Sequence, residues 1–539
     1  MGIIASRGRE DSSYFEGCRT QKSPCYSWGN MIDTPTNSDA AESQAPVQPH
    51  GPAKTFWWRE DHAPQPVGTY HAQFSRSVSL IAALFLISSL STVLWLAASV
   101  PKLDRVEAPE RALERMVGRT MDVQEGLTHA PPWIRTLLTW ITGNPEQERT
   151  QAIEWYRELA KTSNDPIVQL QLAILQAESG QVSQALLSAH EWESREEPLP
   201  RYGDFLRAAY GEGPSPEAEA LSSMWADAAE SLSAGWFYDR LAERLAVRAG
   251  DTSALEVVRQ QSAVRADRIF QHSWRLTVVE LSLMALGSLV LLWLWRRRHA
   301  VENPVTLHSP GIPPPWPGGV GAAVLLRGGA MGAMITAAFL LYMPPENASL
   351  RALAIPMSNV PLLLLAYRHL FRPSGLSFDE GFGLGIGWNH LGRLCLALSA
   401  VVAAGLWGEW VVDRLADRWN LSSHWTEWFD ADLVWGAPSA TFVSLIEYVV
   451  FAPVFEELAF RGLLFAILRR KFTFLPAALI SAGIFGIAHG YGILGLLSVC
   501  WSGLLWAWIY EKTGSLLPGM LAHAINNLLV CLAVMALLR

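Results

Sequence analysis

Residues 451–470 read FAPVFEELAFRGLLFAILRR, and they decide the fold because ionisable side chains lie inside an apolar run of membrane-spanning length. Each of Glu456, Glu457 and Arg461 costs about 2.5–3.5 kcal/mol to insert near the centre of a bilayer. On a helix, Glu457 and Arg461 stand four residues apart in the favourable acid-before-base order, whereas Glu456 lies about 100° around the helix. We therefore predict that one carboxylate is paired and that the other is free for chemistry.

The composition predicts a chain that crosses a membrane several times. It has 539 residues, of which 50% are hydrophobic and 17% are charged, and it contains 24 tryptophans. That is too apolar for a soluble protein of several domains. The formal net charge of -8, without a basic stripe interleaved with aromatic residues, predicts no nucleic-acid partner. We predict an all-α, polytopic transmembrane helical bundle with the lipid bilayer as a partner.

The N-terminal half divides into parts that differ in composition. Residues 1–76 are rich in Ser, Pro, Gly and charge, which predicts a disordered cytoplasmic tail. Residues 77–100 contain no charge and predict a first transmembrane helix. Residues 276–295 predict a second, and the positive-inside rule places the cationic residues 296–299 in the cytoplasm. Residues 101–275 are then expected on the extracytoplasmic side.

Residues 101–275 predict an inserted domain of helical hairpins. Amphipathic runs of about a dozen residues alternate there with short Asn, Asp, Pro and Gly breaks, as in stacked helix pairs. A tetratricopeptide-like (TPR-like) domain is one interpretation, and a plain helical spacer is the other. Because this region lacks a catalytic cluster of His, Cys or carboxylates, we expect it to bind a protein partner or a substrate.

The C-terminal half predicts a membrane-embedded domain. Residues 296–318 form a Pro-rich linker, and residues 319–539 contain enough apolar segments to bring the expected number of spans to about nine. The loop at residues 414–435 carries several tryptophans, which predicts a position at the far membrane interface. We expect a multi-pass protein of the cell (inner) membrane.

Polar side chains interrupt the apolar region at two further places. His489 closes the run FGIAH, and His523 opens the run HAINN, in which Asn527 shares its helix face. Either histidine alone could be a packing residue that bonds to a carbonyl. Several such clusters in neighbouring spans favour one shared, hydrated pocket.

This set of side chains is suited to hydrolysis. Glu456 with His489 can activate water, either as a base or by holding a metal-bound water, and His523 and Asn527 can stabilise an oxyanion. Because a HExxH motif is absent, a zinc ion (Zn²⁺) would need ligands from separate helices, namely Glu456, His489 and His523. Span counting puts His489 nearer the far side than the other two, so a tilted or re-entrant path is expected near it.

These motifs resemble a known family. EELAFR matches EExxxR, FGIAH matches FxxxH and HAINN matches HxxxN of the CAAX prenyl protease type II and bacteriocin-processing family of intramembrane endopeptidases. The resemblance covers roughly residues 320–539 and implies a peptidase that acts on prenylated or other membrane-associated proteins. The family pattern does not include residues 101–275 or the two helices beside them.

The resemblance also implies roles for individual residues. Glu456 would be the catalytic glutamate that activates water together with His489, and His523 with Asn527 would stabilise the oxyanion. Glu457 and Arg461 would support the site. Two alternatives from other classes stay open at this point: a non-enzymatic membrane scaffold or bacteriocin-immunity protein of the same fold, and a proton-coupled transporter.

Overall fold

The computed structural model describes residues 66, 68–70, 74–143, 145–213, 217–300, 303–308, 312–343, 347–385, 387–419 and 421–539. All of them fall within one compact unit, which runs from Thr55 to Arg539. The described chain forms helices and no β-strand, so the prediction of an all-α fold is confirmed. The predicted disordered tail is residues 1–76, of which residues 1–65, 67 and 71–73 lie outside this description.

The long helices follow one another with short connections. They are α1 (Arg76–Ser99), α2 (Pro109–His129), α3 (Pro132–Thr142), α4 (Pro145–Thr162), α5 (Pro166–Glu178), α6 (Val182–Glu191), α7 (Leu199–Tyr210), α8 (Ala218–Ser231), α9 (Trp236–Ala249), α10 (Thr252–Arg296), α11 (Gly318–Tyr342), α12 (Ala348–Ser374), α13 (Leu391–Arg418), α14 (residues 438–468), α15 (Phe474–His489), α16 (Ile493–Thr513) and α17 (Leu517–Leu538). Short helical turns lie at Leu103–Arg105, Trp192–Ser194, Phe378–Phe382, Trp388–His390, Trp425–Glu427 and Ala431–Val434.

Within the described residues, 7 helices are long and apolar enough to cross a membrane: α1, α10, α11, α12, α13, α16 and α17. The protein is therefore a multi-pass membrane protein. Helix α15 is apolar but has 16 residues, and helix α14 is divided by turns of π-helix. The predicted total of about nine spans, which includes these two helices, stays a prediction.

The connections that carry cations gather at one end of the bundle, which we call the cationic end. The side chain of Asn303 donates to the carbonyl of Lys512 at 2.7 Å, and the amide of Leu307 donates to Thr513 at 2.9 Å. Arg469 makes an ion pair with Glu511 at 2.6 Å. The linker after α10 is thus held against the turn between α16 and α17.

The other connections meet at the opposite end, which we call the far end. The amide of Gly492 donates to Glu427 at 3.1 Å, and Lys102 pairs with the same carboxylate at 3.7 Å. This joins the turn after α15 to the end of α1 and to the loop after α13. The alternation of connections between the two ends agrees with helices that run back and forth.

Residues 101–275, here called the helical insert, fold around a core of their own. Large side chains such as Tyr156, Phe205 and Phe237 are fully buried there. The predicted second span is the C-terminal part of a longer helix, because α10 has 45 residues and begins at Thr252. The Asp251 side chain accepts hydrogen bonds from the amides of Ser253 and Ala254, which caps its first turn. Helix α10 therefore extends without a break from the insert into the bundle.

The insert also packs against the far end of the bundle. Its core cluster includes Trp425 and Val434 from the loop after α13, and Val534 and Leu538 from α17. Trp425 is fully buried, whereas Trp419 is 63% exposed, as an interfacial tryptophan would be. Trp425 thus differs from the interfacial belt that the loop predicts, because the insert covers it.

Candidate active site

Helix α14 contains an unusual backbone around its two adjacent glutamates. Turns of π-helix at Glu447–Phe451 and Leu458–Phe465 flank the α-helical segment Ala452–Glu457. Turns of this kind are rare and accumulate at functional sites. In the first π-helical turn the amide of Ala452 donates to Glu447, five residues earlier. By the same register the carbonyl of Tyr448 would need the amide of residue 453, but Pro453 has no N–H. The side chain of Asn527 on α17 donates to that carbonyl instead, at 2.8 Å.

The ion pair that the sequence spacing predicts is present inside the bundle. The Nη1 atom of Arg461 donates to Oε1 of Glu457 at 2.9 Å, and both side chains are fully buried. The guanidinium also lies over the rings of Phe485, at 4.2 Å, and Trp506, at 5.0 Å. Aromatic faces of this kind attract a cation in a desolvated setting.

His523 lies between the two glutamates. Its Nδ1 atom is 3.3 Å from Oε1 of Glu457, and its Nε2 atom is 3.8 Å from Oε2 of Glu456. The ring stacks on Trp506 with a centroid distance of 4.0 Å and an interplanar angle of 16°. A carboxylate accepts hydrogen bonds only, so Nδ1 of His523 carries the proton and Nε2 faces Glu456.

Glu456 differs from its neighbour in its hydrogen bonding. Its side chain is 27% exposed, but its Oε2 atom is buried and has no hydrogen-bond partner among the described residues. The Oε2 atom of Glu457 also lacks a partner among the described residues, but its Oε1 atom serves both Arg461 and His523. The structure therefore contains one paired and one free carboxylate, as the 100° separation of the two side chains predicts.

His489 is the last residue of α15 and lies beside the same aromatic ring as His523. The ring of Phe485 is 4.6 Å from that of His489 and 6.1 Å from that of His523. The Nδ1 atom of His489 is 2.8 Å from the carbonyl oxygen of Phe485. Because a carbonyl only accepts, Nδ1 is the donor, and in the neutral ring Nε2 keeps its lone pair. His489 makes no direct hydrogen bond to Glu456 or His523 among the described residues.

The length of α15 accounts for the depth of His489. With 16 residues the helix is about 24 Å long, against a hydrocarbon core of about 30 Å. It ends at Gly490, whose left-handed backbone (φ 68°) stops the helix. A helix of this length is expected to bring His489 toward the level of the other polar groups, and the tilted or re-entrant path expected from the sequence stays a prediction.

The residues predicted as zinc ligands do not form a metal-binding set in this arrangement. No group of three His, Cys, Asp or Glu side chains among the described residues could hold a metal ion. Glu456 and His523 approach each other, but the Nδ1 atoms of His523 and His489 are both engaged with protein oxygens. The mechanism proposed below assigns no step to a metal.

Several residues of the site were not predicted from the sequence. Phe485 opens the FGIAH motif, but its contact with the charged groups was not predicted. Trp506 lies beside the same groups, and a single aromatic residue in an apolar helix carries no distinguishing signal. Pro453 does carry one, because a proline inside a membrane helix leaves a carbonyl without its helical donor. In a regular α-helix that carbonyl is Val449, so this signal alone does not identify Tyr448 as the partner of Asn527.

Gly503 on α16 provides a test of how closely Arg461 is packed. A Cβ atom at Gly503 would lie 2.7 Å from Nη2 of Arg461 and 3.2 Å from the side chain of Ala482. We expect Gly503→Ala to destabilise the protein by about 1–3 kcal/mol, because the guanidinium must move. The measurement is thermal unfolding of the purified full chain in detergent.

The matched control for this prediction is Gly483→Ala on α15. A Cβ atom at Gly483 would meet no atom within 4 Å, so this change should slightly stabilise the helix. Equal stability of the two variants would contradict close packing around Arg461.

The fold and the buried carboxylate–histidine arrangement define a polytopic membrane protein whose buried polar side chains gather in its C-terminal helices. Residues 438–529 match the family model of the Rce1-like type II CAAX prenyl endopeptidases, and this range contains all of the residues described above. This part of the chain is thus similar to CAAX-type membrane proteases.

A curated relative matches part of the chain. The "Putative membrane peptidase YdiL" of Bacillus subtilis (strain 168) is 33% identical over 99 residues, which is 18% of this chain and 38% of that protein. The match thus spans well under half of the relative's length. No solved structure matches this chain.

Proposed function

We propose that the protein is an intramembrane endopeptidase that hydrolyses peptide bonds of membrane-associated or prenylated proteins. The observation that carries this proposal is the free, buried Oε2 atom of Glu456, which faces Nε2 of His523 at 3.8 Å. That separation is too long for a direct hydrogen bond, so Glu456 is available to a water molecule and Nε2 of His523 is available to the substrate. The family match of residues 438–529 supports the same class of reaction.

Glu456 acts as the general base in this mechanism. Its carboxylate takes a proton from water, and His489 assists by accepting a hydrogen bond from the same water through Nε2. The water oxygen forms a bond to the carbonyl carbon of the substrate, which gives a tetrahedral oxyanion. Protonated Glu456 then donates to the amide nitrogen as the carbon–nitrogen bond breaks, so the proton balance closes.

His523 and Asn527 stabilise the oxyanion. His523 donates to Glu457 through Nδ1, so it can donate to the oxyanion through Nε2 only when the ring carries both protons. Asn527 has two amide N–H groups, of which one is bonded to the Tyr448 carbonyl. The other can reach the substrate.

Glu457 and Arg461 act as positioning residues. Arg461 fixes the carboxylate of Glu457, which in turn holds the imidazole of His523 in one orientation. Such outer partners set the tautomer of a catalytic histidine without contact to the substrate. The helical insert, which we propose to be an extracytoplasmic TPR-like domain, would bind the substrate or a protein partner, and the cell membrane is the proposed location.

The proposal is tested with the purified full chain in detergent, incubated with a farnesylated peptide and with a library of membrane proteins. We expect cleavage by the wild type and a loss of about 10²–10⁴-fold in His489→Ala and His523→Ala, because general acid–base groups contribute that much. His190→Ala is the control, since that side chain is 77% exposed on the insert.

Two further measurements distinguish a metal-dependent peptidase and a non-enzymatic protein from the proposed mechanism. Loss of cleavage in the presence of a chelator would show a metal requirement and would overturn the metal-free mechanism. A wild type that cleaves neither substrate, while the variants bind membrane proteins equally well, would favour a scaffold or immunity protein.

A further inference from the structure

A cavity of about 240 Å³ lies in the helical insert, away from the candidate active site. Helix α2 forms one wall, the turn before α9 forms another, and Arg265 on α10 closes a third side. The wall from α2 presents Arg111, Arg115 and Arg119, which are spaced by four residues and share one helix face.

Two of these arginines carry charge that no direct hydrogen bond or ion pair neutralises, although Glu114 and Asp122 lie near them. Arg115 and Arg119 form no hydrogen bond and no ion pair with any described residue, and Arg111 stacks on the ring of Trp435 at 4.8 Å. Like charges at this spacing destabilise a helix by a few tenths of a kcal/mol per pair. Burial, with Arg115 close by, lowers the pKa of Arg119. An anion bound to this helix face would therefore reduce the repulsion between the arginines.

The acidic groups of the cavity are already engaged. Asp122 accepts two hydrogen bonds from Arg265, each at 2.9 Å, and Arg265 also pairs with Asp239. Burial raises the pKa of the Glu114 carboxyl, whose side chain is bonded to Ser233. The raised pKa reduces the ability of Glu114 to balance the charge of the arginines. The turn at Gly235 adds the amides at the start of α9, where no side chain caps the helix.

The position of the cavity indicates an anion in water rather than a lipid headgroup. Arg265 lies eleven residues before residue 276, where the apolar part of α10 begins, and this corresponds to about 16 Å along the helix. The headgroup layer on each side of the hydrocarbon core is only about 5–8 Å thick.

The spacing of the arginines selects the shape of the ligand. Residues four apart on a helix are separated by about 6 Å along its axis. Side chains on one face of an extended peptide repeat every 6.4–6.8 Å or so. We propose that the cavity binds an extended acidic peptide segment in which carboxylates occupy alternate positions, each paired with one arginine of α2.

This binding site goes beyond the proposed peptidase activity, since the interaction requires no hydrolysis. The test measures fluorescence anisotropy of a labelled Glu-Ser-Glu-Ser-Glu peptide with the full chain in a non-ionic detergent, in the Glu456→Gln background to prevent cleavage. We expect binding that weakens with added salt, and at least tenfold weaker binding by Arg115→Gln and Arg119→Gln, since charged hydrogen bonds are lost. Arg195→Gln, at an exposed position of the insert, is the control and should bind as the parent does.

Other peptides, inorganic phosphate and lipid nanodiscs test the specificity of the cavity for the alternating peptide. A Glu-Glu-Glu-Ser-Ser peptide of equal charge should bind several-fold more weakly, and a Gln-Ser-Gln-Ser-Gln peptide should not bind measurably. Equal binding of the alternating and clustered peptides, or displacement by inorganic phosphate at equal concentration, would overturn the proposed spacing. Displacement only by nanodiscs that contain phosphatidylglycerol would replace the peptide with a lipid as the ligand.

Discussion

Replacing Glu456 with Gln is expected to reduce cleavage by about 10²–10⁴-fold, because the amide keeps the shape of the side chain but cannot take a proton from water. The buried Oε2 atom of Glu456 has no protein partner among the described residues, so little packing is lost. The measurement is the rate of cleavage at saturating substrate, with thermal unfolding of the same samples. The effect should appear in kcat, while substrate binding should change little.

The control for Glu456→Gln is Glu280→Gln. Glu280 is also a carboxyl within the apolar part of a long helix, α10, but it lies outside the candidate site. We expect this variant to retain wild-type cleavage. Full activity of Glu456→Gln together with an inactive Glu280→Gln would assign the base to another part of the bundle.

Replacing Arg461 with Met is expected to destabilise the protein by about 3–5 kcal/mol, because the change leaves the carboxylate of Glu457 buried without its partner. Both side chains are fully buried, so solvent cannot screen the remaining charge. The loss includes the contacts of the guanidinium with Phe485 and Trp506. The measurement is unfolding of the purified protein in mixed micelles with increasing sodium dodecyl sulfate.

The double variant Glu457→Gln/Arg461→Met separates charge from packing. It should recover part of the stability lost in Arg461→Met, because removal of both charges leaves no unpaired ion. A double variant that is less stable than Arg461→Met would mean that Glu457 contributes mainly through its hydrogen bond to His523.

The ion pair of the site, between Glu457 and Arg461, could be predicted from the residue spacing alone. The separation of Glu457 and Arg461 by four residues fixes which side chains meet on one helix, and the structure contains that ion pair. The apolar composition likewise predicts the all-helical fold. Both features depend on interactions that are local in the sequence or on average properties of a segment.

Features that depend on tertiary contacts could not be predicted. Trp425 lies in a loop of interfacial composition, yet it is buried because the helical insert covers it. The stacking of His523 on Trp506 joins separate helices, and no pattern in one helix specifies the other. The start of α10 at Thr252 was missed because its first half is polar, although Asp251 provides a recognisable cap.

Helix α15 has a consequence for the lipid around the protein. It is shorter than the hydrocarbon core by about 6 Å, and such hydrophobic mismatch is relieved when the bilayer thins or when polar groups follow the helix end inward. The bilayer beside His489 should therefore be thinner at the far end. Water would reach the polar residues through this thinned lipid, without a gate in the protein, and a thicker bilayer would slow any reaction that consumes it.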